Sequence, residues 1–162
     1  MNTGGTIIAV CTGSGGIPKA AVDEAQVTHL GLDGDRHTIP EHGGENRAVC
    51  LFAWEDYQRL IRAGVPANTP GAYGENLLTQ GLDYSALRPG DRLLLGESVE
   101  LEIWDVREPC VTLQQLDPRF PDLLTGRSGF LCRVLEPGTV APGQSISLAP
   151  AAAGRATPIT RS

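Results

Sequence analysis

The sequence predicts a mainly β protein, a closed or nearly closed β-barrel with a few short helices. Short apolar stretches recur along the chain, with glycine and proline gathered between them, 20 Gly and 12 Pro in 162 residues. One segment alone, Trp54 to Ala63, carries a good helical period. At this length the chain fits one domain, expected over residues 1–148, with an Ala-, Pro- and Thr-rich tail at 149–162 expected to be disordered.

Thr6 to Cys11 reads as the first strand and Ala25 to Leu30 as the second, with the glycines at 13–16 between them as a flexible connection. Gly13 to Lys19 is no nucleotide-binding loop, because Pro18 precedes Lys19 and no helix starts there, although Lys19 can face an anion. Residues 33–46 show no hydrophobic period, and a polar loop this long inside a domain is functional or disordered. Ala48 to Phe52 is a short buried strand. In the helix that follows, Tyr57, Leu60 and Ile61 share the apolar face, and Gly64 and Pro66 stop it.

Leu77 and Leu78 begin another strand, and Ser85 to Leu87 forms a helical turn. Arg92 to Leu95 and Val99 to Trp104 make a hairpin, since Val99, Leu101 and Ile103 alternate with Glu100 and Glu102. Val111 to Leu116 reads as a short helix. Phe130 to Leu135 and Gln144 to Leu148 read as a final strand pair.

Reactive chemistry is expected where the Val99 strand ends. Pro109 removes a ladder donor, so Cys110 falls just outside the sheet, three residues after Arg107. A partly exposed thiol near a guanidinium favours its thiolate, which suits a nucleophile or a soft metal ligand. A packed apolar filler is the other reading of the same residue. Cys11, Cys50 and Cys132 sit beside apolar residues and read as packed, and no Cys-x-x-Cys pair suggests a zinc ribbon or a disulfide framework. Arg36, Arg47 and Arg107 lie in Gly- or Pro-bearing loops and can converge on a phosphate. Gly43 and Gly44 can bring backbone N–H groups to the same ligand, with His42 beside them. Asn76 can bond a planar ligand edge, or can serve as a cap.

A net charge of −6 argues against a general nucleic-acid partner. No apolar run approaches the length of a membrane span, and no leader is visible, so a cytoplasmic setting is expected.

In order along the chain stand Gly31-Leu32-Asp33-Gly34-Asp35-Arg36, His42-Gly43-Gly44 with Arg47-Ala48-Val49, Gly74-Glu75-Asn76-Leu77, Pro89-Gly90-Asp91, Arg107-x-Pro109-Cys110 and Arg133 to Gly138. With these pieces the chain resembles the MOSC family, named after the C-terminal domain of molybdenum cofactor sulfurase, over about Thr28 to Leu148. Gly143-Gln144 departs from the Gly-Asp usual at that turn.

The resemblance implies a barrel like that inserted in pyruvate kinases and a role with the molybdenum cofactor (molybdopterin). It makes Cys110 the molybdenum ligand or the bearer of a persulfide, with Arg36, His42, Gly43, Gly44, Arg47, Asn76 and Arg107 as cofactor contacts. Some relatives carry a pyridoxal-phosphate desulfurase module that nothing here resembles, so sulfur would come from a separate cysteine desulfurase or other donor. Others resemble reductases of N-hydroxylated compounds, which would need an external electron-donor protein. A barrel used only for protein contacts, and a hydrolase pairing Cys110 with His42, are the remaining alternatives.

Overall fold

The computed structural model describes residues 4–15, 17–36, 45–108, 111–124 and 128–150, without the side chains of 111 and 112. Its strands are β1 (Gly4–Thr12), β2 (Ala20–Val22), β3 (Ala25–Thr28), β4 (Gly31–Leu32), β5 (Val49–Ala53), β6 (Leu77–Gln80), β7 (Arg92–Leu95), β8 (Val99–Val106), β9 (Phe130–Glu136), β10 (Gly138–Val140) and β11 (Ser145–Leu148). The α-helix α1 (Trp54–Arg62) follows β5, and 3-10 turns occupy Glu45–Arg47, Tyr84–Ala86, Val111–Gln115 and Asp122–Leu124. The tail expected at 149–162 lies outside the described residues from 151 onward.

Among the described residues seven strands close into a barrel in the order β11-β7-β8-β9-β5-β6-β1, sealed by β1 pairing with β11 from Gly4↔Ser147 to Thr6↔Ser145. Only β5 and β6 run parallel among the described residues, and β2 extends the sheet from the far half of β1. Closure leaves no long unpaired edge around the main sheet.

The wall has two apolar faces. Ile7, Val10, Val49, Leu51, Leu77, Leu101 and Ile146 point into the barrel. Ala9, Cys11, Phe52 and Leu78 point outward, under α1 and the 111–124 segment, where Tyr57, Leu60, Tyr73, Leu113 and Phe120 cover them. A register shift between Ile7 and Ala9 places Ala9 outward and Val10 inward, so β1 serves both cores.

Three expectations are corrected. The segments Phe130 to Leu135 and Gln144 to Leu148 are not partners: β9 lies between β8 and β5, whereas β11 lies between β7 and β1. Pairing by nearness in sequence fails here because closing the barrel sends the last strand back to the first. The stretch between them is more than a connection, since β10 pairs with β3. On α1, Tyr57 and Leu60 are fully buried but Ile61 is 39% exposed, because the helix rests on the sheet along a narrow line.

Gly129 enters β9 with φ of +90°, and a Cβ there would collide with the Leu51 carbonyl oxygen. Gly129→Ala is therefore expected to lower unfolding free energy by about 3 kcal/mol through left-handed strain and overpacking, measurable by urea denaturation.

Candidate functional site

The outer wall turns polar where β1 ends, β5 begins and β6 begins. Asn76 ties these strands together. Its backbone N–H donates to the Cys50 carbonyl at 2.9 Å, and its Oδ1 accepts from the Cys50 N–H at 2.9 Å. Its Nδ2 donates to the Cys11 carbonyl at 3.2 Å and to Asp35 Oδ2 at 3.0 Å. The amide thus satisfies ladder groups that the irregular strand starts would leave unpaired. Of the two roles read for Asn76, the structure displays this local one, with both ends of the amide engaged by protein.

Asp35 is the neighbouring hub. Its Oδ1 accepts from the Gly13 N–H at 3.0 Å and from Lys19 Nζ at 2.5 Å. The Lys19 and Asp35 side chains are only 6% and 2% exposed, so the pair is a dry one. Gly13 is held firmly, because its carbonyl also accepts from the Arg36 N–H at 2.8 Å. The flexible connection read at 13–16 is thus pinned at its first residue by Asp35.

Arg107 leaves β8 with its N–H donating to the Gly129 carbonyl at 2.9 Å and its own carbonyl accepting from Ser128 Oγ. Its Nη2 donates to the Tyr73 carbonyl. Its Nη1, like Nε of Arg47, is buried with no hydrogen-bond partner among the described residues. The charges of Arg107, Lys19 and Arg47 all favour the Cys50 thiolate. Burial nevertheless dominates and pushes the Cys50 thiol up, as it does that of Cys132 and that of Cys11, which rises to about 12. The three cysteines read as packed are buried.

Beneath Arg107 lies Glu75, a fully buried carboxylate. Its Oε2 accepts from Tyr57 Oη at 2.6 Å and the Gly71 N–H at 2.9 Å, and its Oε1 from the Tyr73 N–H at 3.3 Å. Burial pushes Glu75 above its ordinary value, while Tyr57, Gly71 and the charge of Arg107 pull it back.

Of the residues singled out in the sequence, Arg47, Asn76 and Arg107 come together here. Arg36 reaches the cluster through its backbone, and its exposed guanidinium makes no hydrogen bond or ion pair among the described residues. His42, Gly43, Gly44 and Cys110 lie outside the described residues. Sequence reasoning passed over Asp35 and Glu75, the two buried acids that organise the cations. Their signal was an acid in each of two glycine-bearing motifs, Gly34-Asp35-Arg36 and Gly74-Glu75-Asn76.

Val106, Gly129 and Phe130 border a groove of about 880 Å³, also lined by Glu55, Asp83 and Tyr84. The Tyr84 and Phe130 rings stack there, with centroids 5.4 Å apart.

Asp35→Ala leaves Lys19 buried and unpaired, and should destabilise the fold by about 3 to 5 kcal/mol, read from chemical denaturation. Glu75 gives a pH signature. Its folded value is raised above the ordinary 4.5, so its contribution is complete below that value and is lost as pH rises through the folded value. Urea midpoints from about pH 4.5 to 8 should therefore show wild type losing stability relative to Glu75→Gln as pH rises.

The MOSC domain model matches residues 38–147, a span that includes Arg47, Asn76, Arg107 and Cys110. Protein YiiM of Escherichia coli strain K12 is 34% identical over 82% of this chain and 62% of its own length. A protein named "Reductase" from Gibberella moniliformis is 36% identical over 73% of this chain and 22% of its own length. The chain thus spans less than two thirds of the curated relatives it matches. Crystal structures of YiiM from Escherichia coli and from Geobacillus stearothermophilus superpose with TM-scores of 0.72 and 0.73 at 30% and 28% identity. They cover 91% and 93% of this chain, which takes up 71% and 77% of theirs. With the matched span, the closed barrel and these relatives in agreement, the chain belongs to the MOSC domain family.

Proposed function

We propose that the protein binds the molybdenum cofactor, with Cys110 ligating the metal or carrying sulfur as a persulfide, and with Arg107, Arg47 and Lys19 facing the anionic part. The observation that carries this reading is that two of the three buried guanidinium nitrogens without a hydrogen-bond partner among the described residues are Arg107 Nη1 and Arg47 Nε, the third being Arg59 Nη2 on α1. Leaving such donors dry and unmatched costs about 1 to 3 kcal/mol each, more when charged, and an oxyanion such as the pterin phosphate relieves both. Asp35 already meets the charge of Lys19, so the demand for an anion comes mainly from the two arginines.

Each residue then has a task. The arginines bind the anion, Asn76 and Asp35 fix the strand ends beneath it, and Cys110 offers sulfur at most about 11 Å of chain from Arg107. Burial keeps Cys11, Cys50 and Cys132 as thiols, which leaves the thiolate role to Cys110. Bound there, the cofactor supplies a redox metal centre able to exchange oxygen or sulfur atoms.

A second reading, reduction of N-hydroxylated compounds, is favoured by the groove beside Val106, which has room for a small organic substrate next to the strand that carries Arg107. The relative named "Reductase" accords with it. Electrons would then arrive from a partner protein, as sulfur would from a desulfurase in the carrier reading.

The test is molybdenum content together with persulfide mass spectrometry on protein purified anaerobically from a host that makes the cofactor. Wild type should carry molybdenum or a Cys110 persulfide, Cys110→Ser should lose both, and Arg107→Ala should lose at least about tenfold in bound cofactor. Wild type without molybdenum or persulfide, and with an unreactive Cys110, would return the non-catalytic interaction barrel. Oxidation of a reduced donor that depends on an amidoxime separates reductase from carrier.

A further inference from the structure

We infer that Glu75 is a positioning residue for the anion site, acting through the carbonyl of Tyr73 to aim the guanidinium of Arg107. The inference rests on the reading that Arg107 holds an anion, and it adds a residue that touches no ligand.

Residues 71–76 bring the chain into β6, and Tyr73 must turn its carbonyl toward Arg107, because that carbonyl receives Nη2. Gly74 clears the space: its φ is +82°, and a Cβ there would stand 3.0 Å from Ile17 Cγ2 and 3.5 Å from Arg107 Nη2. Backbone bonds close part of the turn, with the Ala72 N–H donating to the Thr69 carbonyl at 3.1 Å and the Lys19 N–H to the Gly71 carbonyl at 2.8 Å.

Glu75 closes it from inside, because one carboxylate binds the N–H groups of Gly71 and Tyr73 across the turn. Tyr57 on α1 anchors that carboxylate to the helix through its hydroxyl. The Tyr73 ring is fixed too, packed at 4.9 Å from Tyr57, 5.1 Å from Phe52 and 5.7 Å from Phe120. The Tyr73 carbonyl shares its peptide plane with the Gly74 N–H, which donates to the Gly71 carbonyl at 3.0 Å, and Gly71 is itself held by Glu75 through its N–H at 2.9 Å, so the direction of the carbonyl is set by a turn that Glu75 braces. The charge of Arg107 also acts on Glu75 and favours its ionised form.

The test uses the full-length protein as wild type, Glu75→Gln, Tyr57→Phe and Arg107→Ala, with folding verified by circular dichroism. The first readout needs no ligand. Phenylglyoxal labelling of Arg107, followed by peptide mass spectrometry, should run about fivefold faster or more in Glu75→Gln and Tyr57→Phe than in wild type. Labelling of Arg62, exposed on α1, should stay unchanged. The second readout is inorganic phosphate binding in a double-mutant cycle. Glu75→Gln should weaken binding about three- to tenfold when Arg107 is present and less than about twofold in Arg107→Ala.

An unchanged labelling rate at Arg107 in both variants would overturn the inference, as would equal weakening of phosphate binding in both backgrounds. Faster Arg107 labelling in a protein that takes up no phosphate would sink the anion reading instead, and leave the positioning role standing.

Discussion

A charge carried into a dry place must be answered there, and the outer wall of this barrel is organised by that demand. Lys19 is answered by Asp35 at 2.5 Å, and Arg107 partly by the Tyr73 carbonyl, with Glu75 beneath it. Each acid also recruits backbone: Asp35 takes the Gly13 N–H, and Glu75 takes those of Gly71 and Tyr73. The irregular chain between strands is thereby ordered by the residues that balance charge. Arg107 Nη1 and Arg47 Nε stay without a hydrogen-bond partner among the described residues.

Barrel closure supplies the platform. Because β1 pairs with β6 on one side and β11 on the other, it is fixed along its length and can present Cys11 outward at its end. The parallel pairing of β5 with β6 brings Cys50 and Asn76 side by side, so one amide side chain can stitch the strand starts together. Arg107 reaches the same area by running past the end of β8, where Gly129 allows an approach to Leu51 that no other residue permits.

Much of this was legible in local sequence. The hairpin of β7 and β8, the helix after β5 and the buried run at 49–53 all follow from periodicity and turn residues, and each is present. The very short strands were not legible, because Ala20–Val22, Gly31–Leu32 and Gly138–Val140 hold too few residues to display a period. The pairing of β11 was missed for a different reason, since it is decided by closure across the whole chain. Within the site the arginines stood out as cations in glycine-rich loops. Asp35 and Glu75 did not, because a buried acid and a solvated one look alike until their donors are placed around them.

Binding of an anion by Arg107 Nη1 and Arg47 Nε is tested most directly by dianion-dependent stability. Thermal unfolding of wild type and Arg107→Ala would be followed as inorganic phosphate replaces chloride at constant ionic strength. Wild type should gain stability with the logarithm of phosphate concentration, approaching about 2.7 kcal/mol at one hundred times the dissociation constant, and Arg107→Ala should stay flat. A wild-type midpoint indifferent to phosphate, or a rise undiminished in Arg107→Ala, would contradict it.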